Sequence, residues 1–330
     1  MKVLIDYIPK NELASFEGNR MRKDLKGQCE VLSVPWVASV QDRPDVAHFL
    51  SPRELKHALQ AQGLGAKIVV SAFYCENDAG SSFLDYGKKD GVLRKDALKL
   101  LGLADLIFVP SAYHKKLLEE KGIDKRIEVE MPVVNFDRFV SLPSESEIFM
   151  RYFRISPRDN FVLSTGNYHD KKATSSIIEI ARHAPNVKFF FFGAANGNDR
   201  IGYYFLRNKA PSNLRFELLT EDDVYRSGLI HAGAFLLMSE RSSPVSILEA
   251  FATRSQVVAL GDQTQNPILE NGMNSFIFKD AKSAGEYLDN VYLESSKRTI
   301  MHAYGSVQQY GLRSQATKLI GYYNSLFESK

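Results

Sequence analysis

Short runs of apolar residues, each too brief to make a helix, alternate with helix-patterned stretches along almost the whole chain. In the first half these runs are VLIDYI (3–8), CEVLSV (29–34), VAHFL (46–50), KIVVSAF (67–73), LIFVPS (106–111) and IEVEMPVV (127–134). Between them, PRELKHALQAQG (52–63) and SAYHKKLLEEKG (111–122) space apolar residues at helical intervals and turn charge outward. Strands that are apolar on both faces and separated by helices predict a parallel sheet covered on each side. The second half repeats the design with FVLSTG (161–166), VKFFFFGA (187–194), LRFELLT (214–220), AFLLMS (234–239), QVVAL (256–260) and SFIF (275–278).

A chain of 330 residues suits two such domains. The mixed text at 135–160 reads as the linker, with a short helix at 145–153, and the last 30 residues read as one or two amphipathic helices. The expected fold class is therefore α/β, with two Rossmann-like, doubly wound parallel-sheet domains facing a cleft. Ligands of such sheets collect at the carboxyl ends of strands. Net charge +3 makes no demand for nucleic acid as a partner. Two cysteines without metal-ligand spacing and an N-terminus that enters a strand at once point to a cytoplasmic home. No apolar stretch approaches the ~18–20 residues needed to span a bilayer, which leaves a peripheral membrane contact open.

One junction stands out. The strand AFLLMS runs into SERSSPVSILEAFAT (239–253), where Ser242 or Ser243 can cap a helix and Pro244 suits its first position. The amides of Val245, Ser246 and Ile247 then sit at the positive end of a helix, a ready anion site. Glu249 lies one turn further on the same face, able to accept hydrogen bonds from sugar hydroxyls. The plainer alternative is a structural helix start with Glu249 on the surface. Arg241 tilts the balance, because a cation beside a positive helix end is costly unless an anion lies between them. A second junction, GNYHDKKA (166–173), follows another strand. Gly166 allows close approach of a ligand, and Lys171 and Lys172 can place charge on phosphate. Lysines ahead of a helix are as readily solvated, and His169 is as readily a surface residue as a contact.

Taken with APSNLRFELLTEDDVYRSGLIHAGAFLLMSE (210–240), FFFFGA (189–194) and the tail QYGLRSQATKLIGYYNSLF (309–327), these stations resemble the GT-B glycosyltransferases of family four. These are retaining enzymes that use nucleotide sugars, and the likeness is nearest to the short members that glycosylate diacylglycerol lipids in Gram-positive bacteria. LADLIFVPSAYHKKLLEEKGI (103–123) fits the last part of their acceptor domain. The resemblance implies an acceptor-side domain over 1–140, a nucleotide-sugar-binding domain over 141–308, and a C-terminal helix at 309–330 that crosses back onto the first. It implies that Glu249 holds the donor ribose, that Val245 and Ser246, next to Ser243, cradle the diphosphate, and that Lys172 clamps it. Leu219 and Thr220 would border the nucleobase.

The departures are as informative. The family's first glutamate of E-x7-E falls on Arg241, with Glu240 one place off; the arginine after the loop glycine is Asn167; and Ser71, Ala72 and Phe73 stand where relatives carry a histidine. Arg241 is expected to supply the guanidinium lost at position 167, gripping diphosphate oxygens in a fork. The chain has no Asp-x-Asp, so no obligatory cofactor or metal is expected, and Arg241, Lys171 and Lys172 would stabilise the leaving diphosphate. On the acceptor side the candidates are Gly18, Asn19 and Arg20 after the first strand, and Phe73 and Glu76 after the fourth, each with a plain solvated or packing alternative. The expected function is transfer of a hexose from a UDP-sugar to a glycolipid or surface polysaccharide precursor, at the inner face of a membrane. The alternative is a catalytically impaired GT-B subunit that assists a partner glycosyltransferase.

Overall fold

The computed structural model describes residues 1–7, 16–73, 82–85, 92–140, 147–156, 159–168, 170–194, 199–218, 221–238, 244–263, 266–290 and 296–328. The chain divides into two compact units. One comprises Met1–Asn135, Ser243–Val245 and Gln309–Lys330, the other Phe136–Ser242 and Ser246–Gln308.

The first unit runs β1 (Val3–Asp6), α1 (Phe16–Val31), β2 (Trp36–Val37), β3 (Val46–Phe49), α2 (Leu55–Gly63), β4 (Lys67–Ser71), α3 (Lys95–Leu103), β5 (Leu106–Val109), α4 (Ala112–Glu120) and β6 (Ile127–Val129). All strands pair in parallel, in the order β2-β1-β3-β4-β5-β6. The strands are apolar on both faces, as a sheet sandwiched by helices requires. Leu4, Ala47, Phe49, Ile68, Val70, Ile107 and Val109 meet Ala58 and Ala61 of α2, Leu100 and Leu101 of α3, and Leu118 of α4. Val3, Ile5, Val46, Val69, Leu106 and Phe108 face the other way, onto Cys29 of α1 and Leu319, Ile320 and Tyr323 near the C-terminus.

The run at 29–34 is not the strand its apolar content suggested. α1 continues through Val31 and stops in a Schellman turn. The Val34 N–H donates to the Cys29 carbonyl at 2.9 Å, the Ser33 N–H donates to the Glu30 carbonyl at 3.0 Å, and Ser33 takes a left-handed φ of 55°. Six residues are too few to separate a helix end from a strand by periodicity, and burial of Cys29 against Tyr323 decides for the helix. The edge strand falls instead on Trp36–Val37. Because a side chain strains this left-handed position, Ser33→Gly should raise stability by roughly 0.5–1 kcal/mol, read as a higher urea midpoint. The strand expected over 127–134 ends at Val129; Pro132, lacking an N–H, could not have continued the ladder.

The second unit contains α5 (Ile148–Phe153), β7 (Phe161–Asn167), α6 (Lys171–His183), β8 (Lys188–Ala194), α7 (Asp199–Lys209), β9 (Leu214–Leu218), α8 (Asp222–His231), β10 (Ala234–Leu237), α9 (Pro244–Ala252), β11 (Gln256–Leu260), β12 (Ser275–Phe278), α10 (Ala281–Asn290) and α11 (Ser296–Val307). Its parallel sheet has the order β12-β11-β10-β7-β8-β9. The four consecutive phenylalanines of β8 split by strand alternation. Phe189 and Phe191 enter the core built with α6 and α10. Phe190 and Phe192 meet Phe149 and Phe153 of α5, with ring centroids 4.9–6.1 Å apart. The last helix, α12 (Leu312–Ser325), returns to the first unit, where Leu312 packs on Gly27 of α1.

Candidate functional site

Counted from β7, the second sheet reads 3-2-1-4-5-6 from its β9 edge. The order reverses between β7 and β10, which are direct neighbours: Ala234 pairs with Val162 and Phe235 with Leu163. At such a switch point the connections leave to opposite sides of the sheet and open a crevice at the carboxyl ends of the strands. The loops that follow these two strands are the glycine-lysine junction and the Ser-Pro junction. The strands that lead into these two junctions are thus neighbours, although they are far apart in sequence.

The floor beside β7 is made by a pair of glycines. Gly166 and Gly193 sit opposite each other in the β7–β8 register. A Cβ on Gly166 would lie 2.7 Å from the Phe191 ring, and one on Gly193 would lie 2.6 Å from the Tyr168 ring. Tyr168 is buried in this space, with its hydroxyl bonded to the Glu217 carbonyl and 3.2 Å from that of Phe191. Burial pushes its phenol far above the usual range. The ring locks the start of the loop that carries the lysines. Gly193→Ala should displace it and cost roughly 1–3 kcal/mol, visible as a lowered thermal midpoint.

Lys171 and Lys172 are exposed in the first turn of α6, whose cap is Asp170, accepting from the Ala173 N–H at 2.8 Å. Across the switch point, α9 begins at Pro244, and Val245, Ser246 and Glu249 are all buried. The surface alternative for Glu249 is thereby excluded, since its side chain is only 3% exposed. Its Oε1 accepts from Arg138 Nη1 at 2.7 Å, and Arg138 Nη2 donates to Asp222 Oδ1 at 2.8 Å. Arg138 belongs to a 3-10 turn, Phe136–Phe139, and Arg226 donates to its carbonyl at 3.1 Å. Sequence reasoning passed over Arg138, which sits in the mixed linker text. The only available signal was that a carboxylate on the inward face of an apolar helix needs a cation from somewhere.

Arg241, Glu240, Ser243, His169, Leu219, Thr220 and Glu76 lie outside the described residues, and Asn167 is described through its backbone in β7. Gly18, Asn19 and Arg20 fall in the opening turns of α1, with Arg20 buried; Phe73 follows β4 and is half-buried. These acceptor-side candidates belong to the first unit. Gly18 has a clear packing reason, because a Cβ there would stand 2.1 Å from the Tyr7 ring. Ser71 is bonded at 2.8 Å to Nε2 of the buried His48. Among the described residues no group of three or more His, Cys, Asp or Glu side chains is placed to hold a metal ion, and no helix is long and apolar enough to cross a membrane.

No protein-family model matches the chain. A curated relative, the processive diacylglycerol alpha-glucosyltransferase of Acholeplasma laidlawii, is 24% identical over 266 residues, 78% of each chain. Among solved structures, a glycosyltransferase from Rickettsia africae aligns over 100% of this chain and 99% of its own, with a TM-score of 0.73 at 14% identity. Anabaena HepE, in complex with UDP and glucose, aligns over 98% of this chain and 100% of its own, with a TM-score of 0.72 at 14% identity. The fold is GT-B. In this GT-B chain the second unit carries the Rossmann strand order and the first carries the variant 2-1-3-4-5-6. α12 is grouped with the first unit.

Proposed function

We propose that this GT-B protein is a retaining glycosyltransferase that moves a hexose from a UDP-sugar to a glycolipid or cell-surface polysaccharide precursor. The observation that carries the reading is the switch point between β7 and β10, the neighbouring strands that lead into the Gly166–lysine junction and into α9, which holds Glu249 buried in its second turn. Helix amides and lysines suit a diphosphate, and a buried carboxylate suits ribose hydroxyls. The curated relative is by its name a diacylglycerol glucosyltransferase, which supports a lipid acceptor, and HepE is in complex with UDP and glucose, which supports a nucleotide-sugar donor.

In this reading Lys172, Lys171 and Arg241 stabilise charge on the departing diphosphate, which itself receives the acceptor proton, so no metal is required. Gly166, Asn167, His169, Leu219, Thr220, Glu240, Ser243, Val245 and Ser246 line the donor. The first 140 residues, through Gly18, Asn19, Arg20, Phe73 and Glu76, receive the acceptor. The enzyme works in the cytoplasm against the inner face of a membrane.

Titration with UDP and UDP-glucose, followed by assay of UDP release with and without diacylglycerol vesicles, tests the proposal. Binding near micromolar concentration and acceptor-dependent release are expected, with Lys172→Ala weakening UDP at least tenfold. Absence of nucleotide binding overturns the reading. Binding without transfer to any acceptor favours the second reading, a partner subunit, for which the Arg241 replacement in E-x7-E speaks.

A further inference from the structure

The fork that Arg138 makes is unlike the other ion pairs of the second unit. Among the described residues, Arg226–Asp223 and Lys282–Glu286 join residues three or four apart on one helix, and Lys188–Asp159 is a solvent-exposed pair. Arg138 is 15% exposed and bridges two carboxylates from different elements, Glu249 of α9 and Asp222 at the start of α8. A guanidinium is planar and always charged, so its two bonds fix a direction as well as a charge. One Nη donates to Asp222 Oδ1 and the other to Glu249 Oε1. The turn bearing Arg138 is itself held, through the Arg226 bond to its carbonyl and a guanidinium–ring approach of 5.4 Å to Phe139.

We infer that Arg138 is a positioning residue for donor recognition: it holds the Glu249 carboxylate in one plane so that the nucleotide's vicinal ribose hydroxyls are read. The inference rests on the proposed assignment of Glu249 to the donor ribose. A carboxylate as covered as Glu249 needs a hydrogen-bond donor at hand. An acceptor for two adjacent hydroxyls must also be fixed in orientation, because a rotating carboxylate gives up part of the gain in ordering entropy. The guanidinium meets both demands. Asp222 in turn keeps the guanidinium from swinging onto the ligand.

Calorimetric affinities for UDP and for 2′,3′-dideoxy-UDP test this in the full chain. The wild type should prefer UDP by about tenfold or more. Arg138→Gln should weaken UDP by about tenfold while leaving the dideoxy nucleotide within about twofold, so that the preference collapses. Arg138→Lys, which keeps a charge but loses the fork, should show a smaller collapse of the same kind, and it serves as the test should the glutamine variant fail to fold. A merely structural role for Arg138 would weaken both nucleotides equally, and a competing role would tighten UDP; either result overturns the inference while leaving the proposed function standing. A wild type that binds neither nucleotide overturns both.

Discussion

Phe149→Ala should lower the unfolding free energy by about 3–5 kcal/mol, the largest single effect expected from a side chain outside the site. Phe149 is fully buried and lies nearly parallel to Phe161, with centroids 4.9 Å apart and an interplanar angle of 13°. It meets Phe190 edge-on at 5.1 Å and Phe153 at 4.7 Å. The ring also fills the space over Gly228, where a Cβ would lie 2.6 Å from it. Truncation thus removes one member of a five-ring layer in which Phe161, Phe190 and Phe192 are anchored on strands and cannot collapse into the gap. The cost is the lost transfer energy plus the cavity. α5 carries only six residues, so it has little else to hold it against the sheet. Chemical denaturation should show the loss as a fall in midpoint with little change in slope. A loss below about 1 kcal/mol would mean that α5 does not dock as described.

Acidification should destabilise the protein through His48, and the sign can be worked out. His48 is fully buried between Tyr323, whose hydroxyl is 2.7 Å from Nδ1, and Ser71, whose hydroxyl is 2.8 Å from Nε2. Burial pushes its imidazole down to about 3 from an ordinary value of 6.5. Between those two values the unfolded chain binds a proton that the folded chain refuses, so stability rises with pH up to about 6.5 and falls below it. At 1.36 kcal/mol for each unit, bringing the pH from 7 to 4.5 should cost roughly 2–3 kcal/mol from this residue alone. His48→Gln will be weaker at pH 7, because Tyr323 and Ser71 lose a partner, but its acid loss should be smaller than the wild type's by that amount. Equal acid losses in urea titrations of the two proteins would remove His48 from the account.

The strands were legible in the sequence because both faces of a parallel sheet must be apolar, and runs such as QVVAL and SFIF have no other economical use. The Gly166 and Ser-Pro junctions were legible because backbone chemistry is local: a glycine ending a strand and a proline opening a helix declare themselves within a few residues. What could not be read were contacts between distant residues. The Arg138–Glu249 pair spans 111 positions and His48–Tyr323 spans 275, and neither pair has a pattern that announces it. The misread run at 29–34 is a case of the same kind. Its conformation is decided by Tyr323 and the underside of the sheet, which no six-residue window contains.

The way α12 completes the first unit has a consequence for how the protein is made. Leu319, Ile320 and Tyr323 close one side of a core whose strands lie between Val3 and Phe108. On the ribosome those strands and α1 emerge early, yet the rest of the cover on this face is translated only after the entire second unit. The nascent half must therefore wait with this face covered by α1 alone, and the second unit can finish folding ahead of it, reversing the usual amino-to-carboxyl sequence of events.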